Sequence, residues 1–262
     1  MRVSDIDTKA FSLVLSGGGA LGIAHLGVLH DLEARSFVAS EIIGTSMGGI
    51  IGACLALGMR ESEIYEAIVR FSSVGKWIKF SFSGNAIIDN SKIEAIFTTL
   101  YGDKKMKETL IPLKIIATDI HTGQKRVFSA KDDVTIKDAV LATMAIPGIF
   151  DEHSIQNRTY ADGFLCENLG VNEARFDTLL AVDVLGTNAF EKTLPDNFFK
   201  TSNVLEMFER SMRLLIYNQT QTHIKHLKKE ILLIEPHTSD YTTFSFHKHQ
   251  EIRSRGLGLL DD

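Results

Sequence analysis

The order of short apolar runs and helical stripes along this chain predicts an α/β fold. The expected architecture is a mainly parallel central sheet with helices on both faces and some antiparallel strands. Two observations carry the prediction. Strand and helix signals alternate through the first half and again near the end, with hairpin signals between them. In addition, two glycine-rich turns, S-G-G-G-A-L-G at 16–22 and G-T-S-M-G at 44–48, each follow a short apolar run.

Taken in order, residues 11–15 (F-S-L-V-L) read as a buried strand. Residues 22–35 have helical spacing, with Ile23, Leu26, Leu29 and Leu32 on one stripe. A second strand at 41–44 leads into a helix at 46–57, which Gly58 ends as a C-cap would. The uncharged run 42–59 approaches membrane-span length. Its Gly44, Thr45, Ser46, Gly48, Gly49 and Gly52 argue instead for a buried strand followed by a buried helix. Residues 61–71 form an amphipathic helix, and Asn90 or Ser91 caps another through Leu100. A strand at 113–120 turns at Thr122-Gly123 into 125–128. A helix at 135–144 stops before Pro147, and 155–161 holds a second hairpin around Asn157. A buried strand at 178–185, the longest helix at 202–229 and a last strand at 231–235 complete the series. No repeat, low-complexity tract or linker interrupts it, so 1–262 reads as one domain with its core at about 11–185.

A chain of 262 residues, 44% apolar and 23% charged, has the composition of a soluble globule. Its net charge of −5 does not favour nucleic acid. The two cysteines, Cys54 and Cys166, have no motif spacing, which fits a reducing compartment. Residues 1–10 lack the apolar segment of a secretion signal, so cytoplasmic residence is the expectation.

The first glycine turn bares backbone N–H groups at a helix start, where an anion would be held. That anion is either a ligand phosphate or the oxyanion of an acyl-transfer intermediate. Gly17, Gly19 and Gly22 also fit the dinucleotide pattern G-x-G-x-x-G. That pattern needs an acidic residue ending the second strand, whereas Glu41 precedes it. The second turn fits G-x-S-x-G, a nucleophile elbow in which Gly44 and Gly48 relieve crowding around Ser46. The same serine would serve as N-cap of a buried helix.

A serine nucleophile needs a base. His25 and His30 lie on the first predicted helix. His223 and His226 share a face in the charged run H-I-K-H-L-K-K, which reads as solvated, and His247 and His249 have no motif. Asp162, in T-Y-A-D-G-F at a strand end, is the alternative: a carboxylate in a desolvated cleft has its pKa raised into the range of a useful base. Taken alone, Asp162-Gly163 also reads as a simple turn.

Together these residues resemble the patatin-like phospholipase family, especially its bacterial members. That family pairs a G-G-G-x-[RK]-G loop, a G-x-S-x-G elbow and a later D-G-[GA] motif, in the order found here at 17–22, 44–48 and 162–164. The runs G-I-A-H-L-G-V-L from Gly22, I-P-L-K-I-I-A-T-D from Ile111 and A-I-P-G-I-F from Ala145 add to the likeness. Leu21 stands where many members carry Arg or Lys, and Phe164 where Gly or Ala is usual. The resemblance implies a three-layer α/β/α sandwich and a serine esterase or lipid acyl hydrolase working through an acyl-enzyme. It implies Ser46 as nucleophile, Asp162 as general base, and an oxyanion hole from the amides of Gly18 and Gly19 with Gly17 or Met47. Gly22, Gly44, Gly48, Gly163 and Phe164 complete the motifs. It implies lipid acyl esters as substrate, with no metal and no organic cofactor.

Two other readings stand beside this one. A histidine-based hydrolase would use an acid such as Asp183 with His237. A non-catalytic acyl-binding protein would have its site closed by Phe164. Residues 72–89 carry Trp77, Ile78, Phe80 and Phe82 without a sustained period, and Lys76 and Lys79 flank the aromatics. That stretch reads either as irregular core packing or as a peripheral membrane contact.

Overall fold

The computed structural model describes residues 1–7, 10–74, 90–189 and 204–261. Among these, eight strands form one sheet: β1 (Ser12–Leu15), β2 (Glu41–Thr45), β3 (Leu113–Asp119), β4 (Gln124–Phe128), β5 (His153–Ile155), β6 (Arg158–Asp162), β7 (Thr178–Val182) and β8 (Glu230–Ile234). The α-helices are α1 (Ala24–Ala34), α2 (Met47–Ala56), α3 (Glu61–Val74), α4 (Asn90–Tyr101), α5 (Ile136–Met144), α6 (Val204–His226) and α7 (His249–Ser254). The spatial order is β5-β6-β3-β2-β1-β7-β8, with β4 paired to β3 off that path. The central pairs β3–β2, β2–β1, β1–β7 and β7–β8 are parallel. The pairs of β4 and β6 with β3, and of β5 with β6, are antiparallel. This is the mainly parallel α/β arrangement that the alternating signals predict. Trp77, Lys76, Lys79 and Phe80 of the candidate membrane contact lie outside the described residues.

Successive strand residues face opposite sides of the sheet, and each side has its own core. Leu13 and Leu15 of β1, Ile115 and Ala117 of β3, and Leu180 and Val182 of β7 join the core built with α1 to α5 and α7. Val14, Ile43, Ile116, Leu179 and Ala181 join a second core, closed by Leu169, Val171 and Ala174 and by Ile224 at the end of α6. A strand buried on both faces has no polar side, which is why the middles of β1 and β2 appear in the sequence as apolar runs, with Ser12, Glu41 and Thr45 only at the strand ends.

Both hairpins turn where glycine or asparagine allows. Gln156 and Asn157 take positive φ values of 49° and 64° between β5 and β6, as a two-residue type I′ turn requires. Gly123 takes φ 68° before β4. Thr135 caps α5, its hydroxyl accepting from the Asp138 amide at 3.0 Å. A buried ion pair ties the last helix to the domain: Arg253 donates to both oxygens of Glu61, at 2.7 and 2.9 Å.

Candidate active site

β2 ends at Thr45 and α2 begins at Met47, so Ser46 alone makes the turn. Its φ of 52° and ψ of −123° lie where non-glycine residues are seldom found. A strained serine on a strand-to-helix turn is the geometry of a nucleophile elbow. Glycine is required beneath it by close approach. A Cβ on Gly48 would fall 2.3 Å from the Leu15 carbonyl oxygen, and one on Gly44 would fall 2.4 Å from that of Gly48. Although Ser46 occupies the N-cap position of α2, its side chain makes no capping bond. Its amide donates to Thr143 Oγ1 at 2.8 Å.

Asp162 closes β6 and is fully buried. Its amide donates to the Ala145 carbonyl at 2.9 Å, and its own carbonyl accepts from Thr118 Oγ1 at 2.9 Å. The side chain is held on one oxygen only: Oδ1 accepts from the Phe164 amide at 3.0 Å, and Oδ2 has no hydrogen-bond partner. Burial raises the carboxyl pKa to about 7, against the opposing pull of the Phe164 amide and the neighbouring Ser46 hydroxyl. Gly163 packs against the β3 backbone, and Phe164 turns its ring against the first core. Leu21 is likewise buried in that core.

The glycine loop runs beside the elbow. A Cβ on Gly17 would lie 3.1 Å from that of Ser46. The Gly17 amide, one of the expected oxyanion donors, is committed elsewhere: it donates to the Asn168 carbonyl at 3.3 Å, while Asn168 Nδ2 donates back to the Gly17 carbonyl at 3.3 Å. Gly18 lies against Val184, Gly19 takes φ 55°, and the Ala20 amide donates to the Thr243 carbonyl at 2.9 Å. The loop continues as a 3-10 turn, Gly19–Ile23, so α1 starts at Ala24 rather than at Gly22. Gly22 leaves room for Met47, whose Cγ would be 2.5 Å from a Cβ there. His25 is a fully buried core residue, its Nε2 donating to the Ser16 carbonyl at 2.9 Å while its Nδ1 has no hydrogen-bond partner. Burial lowers its pKa to about 4, so the ring is neutral.

Several alternatives meet physical obstacles. Glu41 sits at the start of β2, opposite Ser12, whereas the glycine loop follows Leu15 at the other end of β1. It is bonded by Ser12 Oγ at 2.6 Å and by Lys114 Nζ at 3.1 Å, and it does not face the loop where a ribose would lie. Asp183, the acid of the histidine-based reading, resembles Asp162 in accepting at Oδ1 from a backbone amide (Leu185, 3.0 Å), in its unpaired Oδ2 and in a pKa raised by burial to about 6, but its neighbouring serine, Ser16, is not at positive φ. His237 is exposed. His223 does not lie on a solvated face: it is half-buried, with Nδ1 3.6 Å from buried Glu167, which also pairs with Lys125. The charged run hid this because Glu167 is remote in sequence. Among the described residues, no group of three or more His, Cys, Asp or Glu side chains is arranged to hold a metal ion. A groove of about 560 Å³, lined by Phe11, Leu29, Phe37, Leu55 and Met59, opens at the opposite end of the sheet from Ser46.

Fold and site together define an α/β protein of the serine-elbow class, with a buried acid beside the serine and a glycine loop alongside. Residues 13–175 match the family model described as patatin-like phospholipase. An uncharacterized NTE family protein of Mycobacterium bovis is 29% identical over 196 residues, covering 72% of this chain and 53% of the relative. Lysophospholipase NTE1 of Saccharomyces cerevisiae is 24% identical over 288 residues, covering 97% of this chain and 17% of the relative. Among solved structures, VipD from Legionella pneumophila aligns with a TM-score of 0.49 at 15% identity, over 97% of this chain and 67% of that one. The chain spans about half the length of the mycobacterial relative and under a fifth of the yeast one. The chain belongs to the patatin-like phospholipase family.

Proposed function

We propose that this chain hydrolyses carboxylic esters of lipids through a Ser46–Asp162 dyad. The observation that carries the reading is the free Oδ2 of a fully buried carboxyl beside a serine held at positive φ. Buried polar atoms are normally paired, so an unpaired one at this point fits a group kept for a proton in transit. A pKa near 7 makes Asp162 a base of useful strength at neutral pH without a histidine between acid and serine.

In this mechanism ionised Asp162 takes the Ser46 hydroxyl proton as Oγ attacks the ester carbonyl carbon. The carbonyl electron pair moves to oxygen, and the amides of Gly18, Gly19 and Met47 stabilise the oxyanion. Collapse breaks the bond to the alkoxy group, which leaves as the alcohol with the proton from Asp162. Asp162 then deprotonates a water, which attacks the acyl carbon; collapse breaks the bond to Ser46 Oγ, which takes the proton back from Asp162, and the fatty acid leaves. The names of the family and of the yeast relative support a phospholipid or lysophospholipid ester as substrate. No helix among the described residues is long and apolar enough to cross a membrane. A lipid substrate would then be met at a surface, and residues 72–89 are the proposed contact. Labelling with a fluorophosphonate, which reacts only with an activated serine, tests the reading. Adduct on Ser46 with hydrolysis of a lysophospholipid is expected; an unlabelled folded protein overturns it.

A further inference from the structure

The elbow and the acid are both hung on one turn of backbone that belongs to neither. Thr143, fully buried near the end of α5, uses its hydroxyl twice. Oγ1 accepts from the Ser46 amide at 2.8 Å and donates its proton to the Ile116 carbonyl of β3. Two residues on, the Ala145 carbonyl accepts from the Asp162 amide at 2.9 Å. Ala145 has left helical geometry, with φ −71° and ψ 73°, which frees its carbonyl from the helix for this bond. The Thr143 methyl faces α2, 3.1 Å from where a Cβ on Gly49 would stand.

We propose that the C-terminal turn of α5 is the spacer that sets the separation of Ser46 and Asp162, with Thr143 as its positioning residue. The inference rests on the dyad reading above and adds to it the element that holds the pair in register. A non-glycine residue stays at positive φ only where its surroundings over-determine it. The bond from the Ser46 amide to Thr143 supplies part of that constraint, and it is anchored through the same oxygen to the strand beside the acid. Valine has the shape of threonine but can neither accept from Ser46 nor donate to Ile116. The elbow then relaxes, and Oγ moves away from the acid while the substrate-binding surface is unchanged.

The experiment compares wild type, Thr143→Val, Thr143→Ser, Ser46→Ala and Asp162→Asn on a soluble short-chain p-nitrophenyl ester, with thermal melts for each. A displacement of about 1 Å costs on the order of 100-fold, so Thr143→Val should lose about that in kcat with KM within about twofold. Thr143→Ser keeps both hydrogen bonds and should stay within about fivefold of wild type, since it loses only a methyl contact. The acid limb of the Thr143→Val pH profile should also move upward, because Asp162 loses the Ser46 hydroxyl that lowers its pKa; general loss of stability would not move it. A wild-type kcat in Thr143→Val, a loss confined to KM, or equal damage in Thr143→Ser overturns the spacer. If Thr143→Val does not fold, Thr143→Ala supplies the same kcat and KM comparison. Asp162→Asn with normal turnover would remove the dyad and the spacer with it. Dead Ser46→Ala and Asp162→Asn beside a normal Thr143→Val would remove the spacer alone.

Discussion

Thr45 and Asp162 stand opposite consecutive residues of one strand edge, Ile116 and Ala117 of β3. β4 takes the other edge of β3 over the same stretch, so β2 and β6 must share this one. β2 runs parallel to β3 and β6 antiparallel to it, so their C-terminal ends meet head to head. Each chain leaves the sheet at the meeting point: β2 through Ser46 into α2, and β6 through Gly163 into a 3-10 turn. Sheet register therefore brings a serine and an acid far apart in sequence to one strand edge, where the proposed α5 spacer then sets their separation.

If that convergence is the catalytic pair, Ser46→Ala and Asp162→Asn should each lower ester turnover by at least ~100-fold, as removal of a general base does. The double variant should be little worse than either single one, because the two groups act as a unit. Steady-state kinetics on a short-chain ester give the answer. Near-normal turnover in Asp162→Asn would return the search to another base.

The pH dependence follows from the same carboxyl. Its folded pKa is about 7 against an ordinary 3.8, so it works as a base only above that value. kcat/KM should rise with slope one through about pH 7 and level off above it. The sign for stability is opposite. Between the two pKa values the native state holds a proton that the unfolded state has lost, so this group lowers stability as pH rises from 3.8 towards 7. Asp162→Asn should therefore melt higher than wild type at pH 8, with the gap closing as pH falls. A mutant less stable at pH 8 would show that the ionised carboxyl is better solvated than its burial implies.

Single alanine changes at His121, His153, His223 and His237 should each leave at least about a tenth of the activity, far above the loss on removing a general base. EDTA should not abolish it. His153 bonds to Asp138 at 3.0 Å and His223 faces Glu167, so their roles lie in packing. Collapse of kcat in any one of the four would favour a histidine-based mechanism.

The strands and the two glycine turns were legible because their causes are local. Burial on both faces makes an apolar run, and a Cβ clash demands glycine at 44 and 48. The Gln156-Asn157 turn was legible for the same reason. What the sequence hid is non-local. Thr143 sits in an apolar helix and reads as ordinary core, because its partners at Ser46 and Ile116 are brought to it only by the sheet. The pairing of Gly17 with Asn168, and of His223 with Glu167, left no mark at either position. The 3-10 turn at Gly19–Ile23 has glycine and alanine where a helical stripe would show its start.

The ion pair between Glu61 and Arg253 should add to the packing of fully buried Ile252 in holding α7 to the domain. Glu61 is only 3% exposed on its side chain, so removing Arg253 leaves a buried carboxylate with only the His30 ring, 3.7 Å away, beside it. Arg253→Ala should cost about 3 kcal/mol in urea denaturation. The Glu61→Gln, Arg253→Ala pair should recover part of that, since no unpaired anion remains. Arg253 also lies over the Tyr65 ring, 5.2 Å from its centroid, and equal losses in the single and double variants would mean that it acts through that packing alone.

Gly163 tests whether the meeting of β2 and β6 sets the site. A Cβ there would lie 2.3 Å from the Ile116 carbonyl oxygen and 2.9 Å from Thr45 Cγ2. The first neighbour is backbone and has no rotamer to escape into, so Gly163→Ala must push β6 away from β3 just where Asp162 ends. A shift of even 1 Å between acid and serine should cost about 100-fold in kcat. The fold should survive, since the rest of the β3 register does not depend on this contact. Fluorophosphonate labelling of Ser46 should slow in parallel with ester turnover. A folded Gly163→Ala variant with wild-type kcat would show that the acid can move without loss, and that register at this edge is not what positions it.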